Sequence, residues 1–281
     1  MAITVNTNVA SLNAQRNLGS TQSALQGNLG RLSTGLRINT ASDDAAGLAI
    51  SEKLKSQVRS LSQAERNAND GVSLLQTAEG AMNEASGILT RMRELAVQSA
   101  NGTLGSTERG FLNDEVSALS SELDRIAGVT EFNGTQLLAG GTTGTEFTFQ
   151  VGVGATSNDT ISATIKGIAA ADLGGTTGGV GAIDISTATG AQNALSVLDQ
   201  AISDVSSRRA DIGTVQNRLD VTIANLGSAR ENLSAANSRI RDVDVASETA
   251  DMTRNNILMQ AGVSVLAQAN QAPQVALALL G

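Results

Sequence analysis

Apolar residues recur with a spacing of seven in the C-terminal half of the chain. The row consists of Leu198, Val205, Ile212, Leu219, Leu226, Leu233 and Ile240. This spacing is typical of one seam of a coiled coil, so we predict a continuous helix over about 191–239. The second row of the heptad mixes apolar and charged residues, which favours a helix packed against several neighbours over a symmetric two-stranded zipper.

Two earlier segments carry the same kind of pattern. One row consists of Leu54, Leu61, Ala68, Leu75, Met82, Leu89 and Ala96, and a shorter one of Leu112, Val116, Leu119, Leu123 and Ile126. Both predict helices that share a bundle with the C-terminal helix. A helix over 191–239 would be about 74 Å long, whereas a compact globule of this chain length is roughly 48 Å across. The expected shape is therefore a rod.

The middle of the chain changes from helical to strand periodicity. Residues 146–153 alternate with period two, and 160–165 can pair with them, which predicts a β-hairpin. The segment 167–189 is rich in Gly, Ala and Thr, which predicts a loop or extra strands at the tip of the rod. The predicted fold class is mainly α: an elongated rod of long antiparallel, coiled-coil-like helices with a small β-hairpin region near one end.

The two terminal segments are unusually poor in charge. Residues 1–42 carry three arginines and no acid, and 256–281 carry no charged residue at all. Amides interrupt the apolar residues of 256–281, so a transmembrane helix is not expected. Such helices suit a densely packed interface between many copies; the ends could also pair with each other within one chain, and both can hold. The predicted polymerisation residues are Val5, Val9, Leu12, Leu25, Leu32, Leu36, Ile257, Val265, Leu266, Leu277 and Leu280.

Composition removes several classes of function. The chain has 281 residues, no Cys, His, Trp or Tyr, and a net charge of −8. The acidic balance argues against nucleic-acid binding. Without Cys or His there is no thiolate nucleophile, no His-based triad and no usual zinc or haem site. We therefore expect no enzyme, cofactor or metal. The N-terminal segment has no Sec-type signal pattern, so secretion would need another route.

Several blocks of the sequence resemble bacterial flagellin. They are TNVASLNAQ at 7–15, LSTGLRIN at 32–39, DDAAGLAI at 43–50, NDGVSLLQTAEG at 69–80, RELAVQSA at 93–100, FNG at 132–134 and GVSVLAQANQ at 262–271. The resemblance covers roughly 1–165 and 190–281. It implies an extracellular structural protein of the bacterial flagellum that polymerises into the filament for swimming motility.

The resemblance also implies a division of the chain and a set of partners. Segments 1–42 and 243–281 would form the inner tube of the filament, 43–166 and 190–242 the outer tube, and 167–189 a short variable tip. The partners would be other copies of the chain, the flagellar export apparatus, an export chaperone, the filament cap and hook-associated proteins. Neither nucleic acid nor membrane insertion is expected.

Two groups of site residues come from the resemblance alone. Arg37, Asp43 and Asp44 would lie in a spoke that joins the two tubes, although helix capping is an equally simple role for both aspartates. Arg91, Leu95 and Glu115 match the family's contact with an animal innate flagellin receptor. The alternative for Arg91 and Glu115 is that they are ordinary surface charges.

Two other functions compete with the filament subunit. A hook-filament junction protein resembles flagellin at its ends but would occur in few copies. A secreted adhesin-like binding module would present 140–190 to a host surface and would remain a monomer or small oligomer. Polymerisation of the purified chain distinguishes the filament subunit from both.

Overall fold

Long helices make up most of the protein. The computed structural model describes residues 7–175 and 179–278, with the backbone alone for 272–278. The helices are α1 Val9–Thr34, α2 Ala45–Ser99, α3 Ser106–Val129, α4 Ala188–Arg241 and α5 Val245–Ala278. The strands are β1 Glu131–Phe132, β2 Thr135–Gln136, β3 Thr145–Gln150 and β4 Thr160–Ile165. The prediction of a mainly helical protein with long helices and a small antiparallel β-hairpin is confirmed.

The chain divides into two compact units. The terminal unit comprises Met1–Val58 and Glu231–Gly281, and the central unit comprises Arg59–Arg230. In the described part of the chain, no helix is both long and apolar enough to cross a membrane.

The heptad rows form the core of the central unit. Leu198, Val205, Ile212 and Leu219 of α4 are all buried. The matching row of α2 is buried in the same cluster from Ala68 onwards, with Leu75, Met82 and Leu89 entirely removed from solvent. The third helix adds Val116 and Leu123. A spacing of seven keeps one stripe of a helix facing the same neighbours, which is why this pattern predicted the core correctly.

The predicted β-hairpin is present but its first strand is shorter than expected. Strands β3 and β4 pair antiparallel, with Phe147 opposite Ala163 and Phe149 opposite Ile161. The alternating pattern extended β3 to residue 153, whereas the strand ends at Gln150. The backbone N–H groups of Val151 and Gly152 instead both donate to the carbonyl of Asp159, at 2.8 and 2.9 Å. That shared acceptor turns the chain into the connecting loop.

The hairpin docks on α2 at a glycine. A Cβ at Gly71 would lie 3.1 Å from the Phe149 ring, so only a residue without a side chain allows this close approach. The side-chain amide of Asn67 donates to the Gln150 carbonyl at 3.0 Å one turn earlier. These two contacts join the strand to the helix within the central unit.

A second, smaller hairpin was not predicted. Strands β1 and β2 are joined by Asn133 and Gly134, which have φ values of +51° and +77°. Positive φ at both central residues is the requirement of a two-residue hairpin turn, and Asn-Gly meets it best. The Asn-Gly dipeptide was therefore the sequence signal for this hairpin. Its strands of two residues are too short to show an alternating pattern.

The segment 167–189 contributes to the core. Ile168, Leu173 and Ile185 are completely buried, and short 3-10 turns lie at Ala170–Asp172 and Val180–Ala182. Extra strands, one of the two expectations, are not found among the described residues 167–175 and 179–189. A composition rich in Gly and Thr conceals the few large apolar residues that anchor the segment.

A buried arginine holds the start of this segment. The Arg208 guanidinium donates to the carbonyls of Gly167 and, at 2.9 Å, Asp172. Burial lowers the pKa of Arg208 from its usual value, and the nearby carboxylates of Asp204 and Asp172 oppose that effect. The carboxylate of Asp204 in turn accepts from the Gly174 N–H at 3.1 Å. The loop is thus fixed by charged groups of α4 and the loop's own backbone.

Candidate assembly surface

In the terminal unit, α1 and α5 pack as an antiparallel pair that polar contacts join at both ends. At the start of α1, the Asn8 side chain accepts from the Ser11 N–H at 3.0 Å and donates to the Ala269 carbonyl at 2.7 Å. The Ser11 hydroxyl donates to the Asn270 side-chain oxygen at 2.7 Å. One asparagine therefore caps α1 and attaches it to α5.

An ion pair joins the same helices near their other ends. Arg31 donates from Nε and Nη2 to one oxygen of Glu248, at 2.9 and 2.6 Å. The hydrogen bond to Glu248 raises the pKa of Arg31. Nη2 also donates to the Oδ1 of Asn28 at 2.8 Å. Because the Glu248 side chain is only 12% exposed, this pair is less screened by solvent than an ordinary surface ion pair.

Many large apolar side chains of the pair are exposed. Ser11, Leu25 and Asn28 are the buried residues of α1. The exposed set is Val9, Leu12, Leu29, Val245, Ile257, Leu258, Val263 and Val265. An ordinary soluble helical hairpin has mainly polar residues on its outside. The terminal pair therefore presents an apolar surface that calls for a protein partner.

The connection between α1 and α2 is held by hydrogen bonds to the backbone and by helix caps. The N–H groups of Arg37 and Ile38 both donate to the Arg241 carbonyl, and the Arg37 guanidinium donates to the Ile240 carbonyl at 2.7 Å. One oxygen of Asp43 accepts from the N–H groups of Asn39 and Thr40 and from the Thr40 hydroxyl.

These contacts stabilise the charged form of one aspartate and start a helix at the next. Hydrogen bonds from the backbone of Thr40 and Asn39 hold the pKa of Asp43 below its usual value. The Asp44 carboxylate accepts from the Gly47 N–H at 2.9 Å and caps α2. Asp43 thus stabilises the turn before α2, and Asp44 caps that helix.

Comparison with known proteins decides the family. The family described as Bacterial flagellin N-terminal helical region matches residues 5–143, and the one described as Bacterial flagellin C-terminal helical region matches 195–280. The chain belongs to the bacterial flagellin family.

Curated flagellins match over almost the whole chain. Flagellin of Bacillus subtilis (strain 168) is 47% identical over 302 residues, and flagellin of Halalkalibacterium halodurans is 49% identical over 276 residues. The flagellar filament 33 kDa core protein of Treponema phagedenis is 44% identical over 283 residues. Each match covers 98% of this chain and 99% of the relative. Flagellin is a structural protein.

The predicted polymerisation residues of this flagellin differ in exposure. Val9, Leu12, Ile257 and Val265 are exposed, while Leu32, Leu36 and Leu266 are half-buried. Leu25 is buried between the helices. Val5 and Leu280 lie outside the described residues, as does the side chain of Leu277.

The residues matched to an innate-receptor contact differ in accessibility. Arg91 forms an ion pair with Glu115 at 2.9 Å and with Glu94 at 3.1 Å, and all three side chains are well exposed. Leu95 is only 1% exposed and belongs to the central core. A partner could therefore reach Arg91 and Glu115 but not the Leu95 side chain.

Sequence reasoning did not find the polar contacts between α1 and α5. Ser11 and Asn28 lie on the same helical face as Leu18 and Leu25, with spacings of seven and three. The signal was therefore present, as polar residues occupying positions of an apolar heptad row. Such a row does not by itself indicate that its polar members are buried. Glu248 lies near a helix start, where a favourable interaction with the helix dipole explains a carboxylate as well as an ion pair with Arg31 does.

Proposed function

We propose that this chain is the structural subunit of a bacterial flagellar filament and that the apolar surface of its α1–α5 pair is buried by neighbouring copies. The observation that carries the proposal is the set of large apolar side chains that this pair leaves exposed, in addition to those it packs between its two helices. Membership of the flagellin family supports it. No finding favours a hook-filament junction protein or an adhesin.

Burial of these side chains supplies the driving force. Fully burying a leucine or isoleucine contributes about 1.5–3 kcal/mol, so each half-exposed side chain adds roughly 1 kcal/mol when a neighbour covers it. Since 256–281 carries no charged residue, many copies can approach there without burying an unpaired charge. Several such side chains per subunit suffice for a stable, repeated contact.

The proposal assigns each segment of the chain to a layer of the filament. Segments 1–42 and 243–281 form the inner tube, 43–166 and 190–242 the outer tube, and 167–189 the short variable tip. Arg37, Asp43 and Asp44 stabilise the spoke between the tubes. Subunits leave the cell through the flagellar export apparatus with an export chaperone, and meet the filament cap and hook-associated proteins outside.

Deletion of 256–281 tests the role of the C-terminal helix. We expect a soluble protein with an intact central unit, because that unit has its own core, and no filaments after addition of seeds or precipitating salt. Pelleting and negative-stain electron microscopy report the outcome. Long filaments from the truncated chain would contradict the proposal.

A pair of substitution variants separates apolar burial from loss of the helix. Ile257→Ser with Leu258→Ser removes two exposed apolar side chains, and Asn256→Ser with Gln260→Ser changes two exposed amides on the same turns. The apolar double variant should need about tenfold or more protein to polymerise. The amide double variant should polymerise at close to the wild-type concentration.

The family likeness supports a further partner for the depolymerised protein. An animal innate flagellin receptor would bind the exposed Arg91 and Glu115, while Leu95 would support this surface from the core. Purified monomer should activate receptor-expressing cells, and Arg91→Glu should reduce that response. A silent wild-type monomer would refute the contact.

A further inference from the structure

The apolar contacts between α1 and α5 repeat in a way that leaves their alignment ambiguous. The inward row of α1 consists of Ser11, Ala14, Leu18, Thr21, Leu25, Asn28 and Leu32. The inward row of α5 consists of Glu248, Met252, Asn255, Met259, Gly262, Leu266 and Ala269. Both rows follow heptad spacing, so the helices pair as a short antiparallel coiled coil.

Sliding one helix by seven residues would preserve most of the apolar contacts. The leucines of α1 recur every seven residues, and so do the large apolar residues of α5, two of which are methionines. Methionine side chains adapt to different neighbours. Leu18 does have a close partner with a distinct shape, since a Cβ at Gly262 would lie 3.0 Å from its Cδ1. Apart from that contact, apolar packing discriminates weakly between alignments.

The polar contacts do not repeat with this period. A shift of seven residues would place Ser11 opposite an apolar residue and would separate Arg31 from Glu248 by about 10 Å. Both ends of the pair would lose their hydrogen bonds, and two charges would be left in a half-buried seam at a large cost. Asn28 fits the same role: its Nδ2 is buried without an acceptor among the described residues, which is a stability cost that a leucine would avoid.

We propose that the Arg31–Glu248 pair with Asn28, and the Ser11–Asn270 bond, set the pairing and alignment of α1 and α5. Buried polar residues have this effect in coiled coils, where they lower stability but select one alignment. The inference rests on the proposed function, because the alignment determines which apolar side chains each subunit presents to its neighbours. The Arg31 and Glu248 side chains act as positioning residues.

Disulfide trapping can measure the alignment directly, since the chain has no cysteine of its own. Leu18→Cys with Gly262→Cys places two thiols at the closest apolar contact of the pair. A shift of seven residues would carry them about 10 Å apart, beyond disulfide range. The full-length chain is assembled, oxidised and analysed without reductant, and peptide mass spectrometry distinguishes bonds within a chain from bonds between chains.

Charge variants in this reporter chain then test the proposal. Arg31→Glu and Glu248→Arg should each lower the rate of intrachain bond formation by about fivefold or more. The double exchange should restore the rate, because the pair is re-formed with the charges reversed. Arg16→Glu makes the same charge change at an exposed position of α1 and should leave the rate unchanged.

The outcomes separate this inference from the filament proposal. Wild-type rates in both single variants, or no recovery in the double exchange, would overturn the inference even if filaments form. Conversely, the reporter chain could form the intrachain bond with the expected charge dependence although neither it nor the cysteine-free parent assembles into filaments. That result would refute the filament function and leave the alignment inference standing.

Discussion

Leu89 and Leu29 lie on long helices of the same chain but in opposite environments. Leu89 of the central unit is 0% exposed, whereas Leu29 of the terminal unit is 51% exposed. The central unit surrounds its heptad leucines with α2, α3, α4 and the segment 167–189. The terminal unit consists mainly of two helices, which cannot surround each other. A helix pair with apolar residues on its outside is complete only when other protein covers it.

The largest expected effect contrasts these two leucines. Leu89→Ala should lower the free energy of unfolding by about 2–5 kcal/mol because it leaves a cavity in a closed core. Leu29→Ala should change the free energy of unfolding of the monomer by only about 0.5 kcal/mol. It should, however, raise the concentration needed for polymerisation by roughly fivefold to tenfold. Thermal unfolding followed by far-UV circular dichroism, and pelleting of assembled protein, measure the two quantities.

The reverse pattern would break the comparison. If Leu29→Ala destabilised the monomer as strongly as Leu89→Ala, the terminal pair would be a closed core of its own. If it left polymerisation unchanged, the exposed apolar surface would have no role in assembly.

A smaller effect concerns two glycines of α2 in the central unit. Gly80 is exposed and has no side-chain atom within 4 Å of the position that a Cβ would occupy, whereas Gly71 contacts Phe149. Gly80→Ala should raise the free energy of unfolding by about 0.5–1 kcal/mol through helix propensity alone. Gly71→Ala should gain nothing, because the new methyl group displaces the Phe149 ring. Urea unfolding of both variants gives the difference, and equal stabilisation would show that the hairpin does not dock tightly on α2.

The smallest effect is a pH dependence within the β3–β4 connection. The Thr156 hydroxyl and the N–H groups of Thr156 and Gly154 all donate to Asp159, and they hold its pKa below the usual 3.8. A lowered native pKa means that the contribution to stability is present above about pH 4 and is lost as the pH falls through the native value.

Substitution of this aspartate should therefore matter more at neutral pH than in acid. Asp159→Asn should lower the urea midpoint at pH 7 and have less effect at pH 3, because the contribution of a carboxylate with a lowered native pKa decreases once the pH is below the unfolded-state value. Asp70→Asn, at an exposed position of α2, serves as the control. A gap between wild type and Asp159→Asn that is equal at both pH values would contradict this account of the loop.

Local periodicity accounts for how well the long helices were predicted from sequence. Leu198, Val205, Ile212 and Leu219 identified both α4 and its buried face, because a spacing of seven is a property of neighbouring residues on one helix. The Phe147 and Phe149 alternation identified β3 for the same reason. The end of β3 was missed, since it depends on Asp159, nine residues away, accepting two backbone N–H groups.

The sequence by itself determined that the chain is helical at both ends, has a hairpin in the middle, and carries terminal segments with too little charge for an ordinary exposed surface. Only the tertiary structure decided which residues of those segments face each other. Leu25 was predicted as a polymerisation residue together with Val9 and Leu12, yet Leu25 is buried with Ser11 and Asn28, whereas Val9 and Leu12 are exposed. The physical reason is that periodicity places residues on a common face without saying what that face meets, and the partner of Ser11 lies 259 positions along the chain.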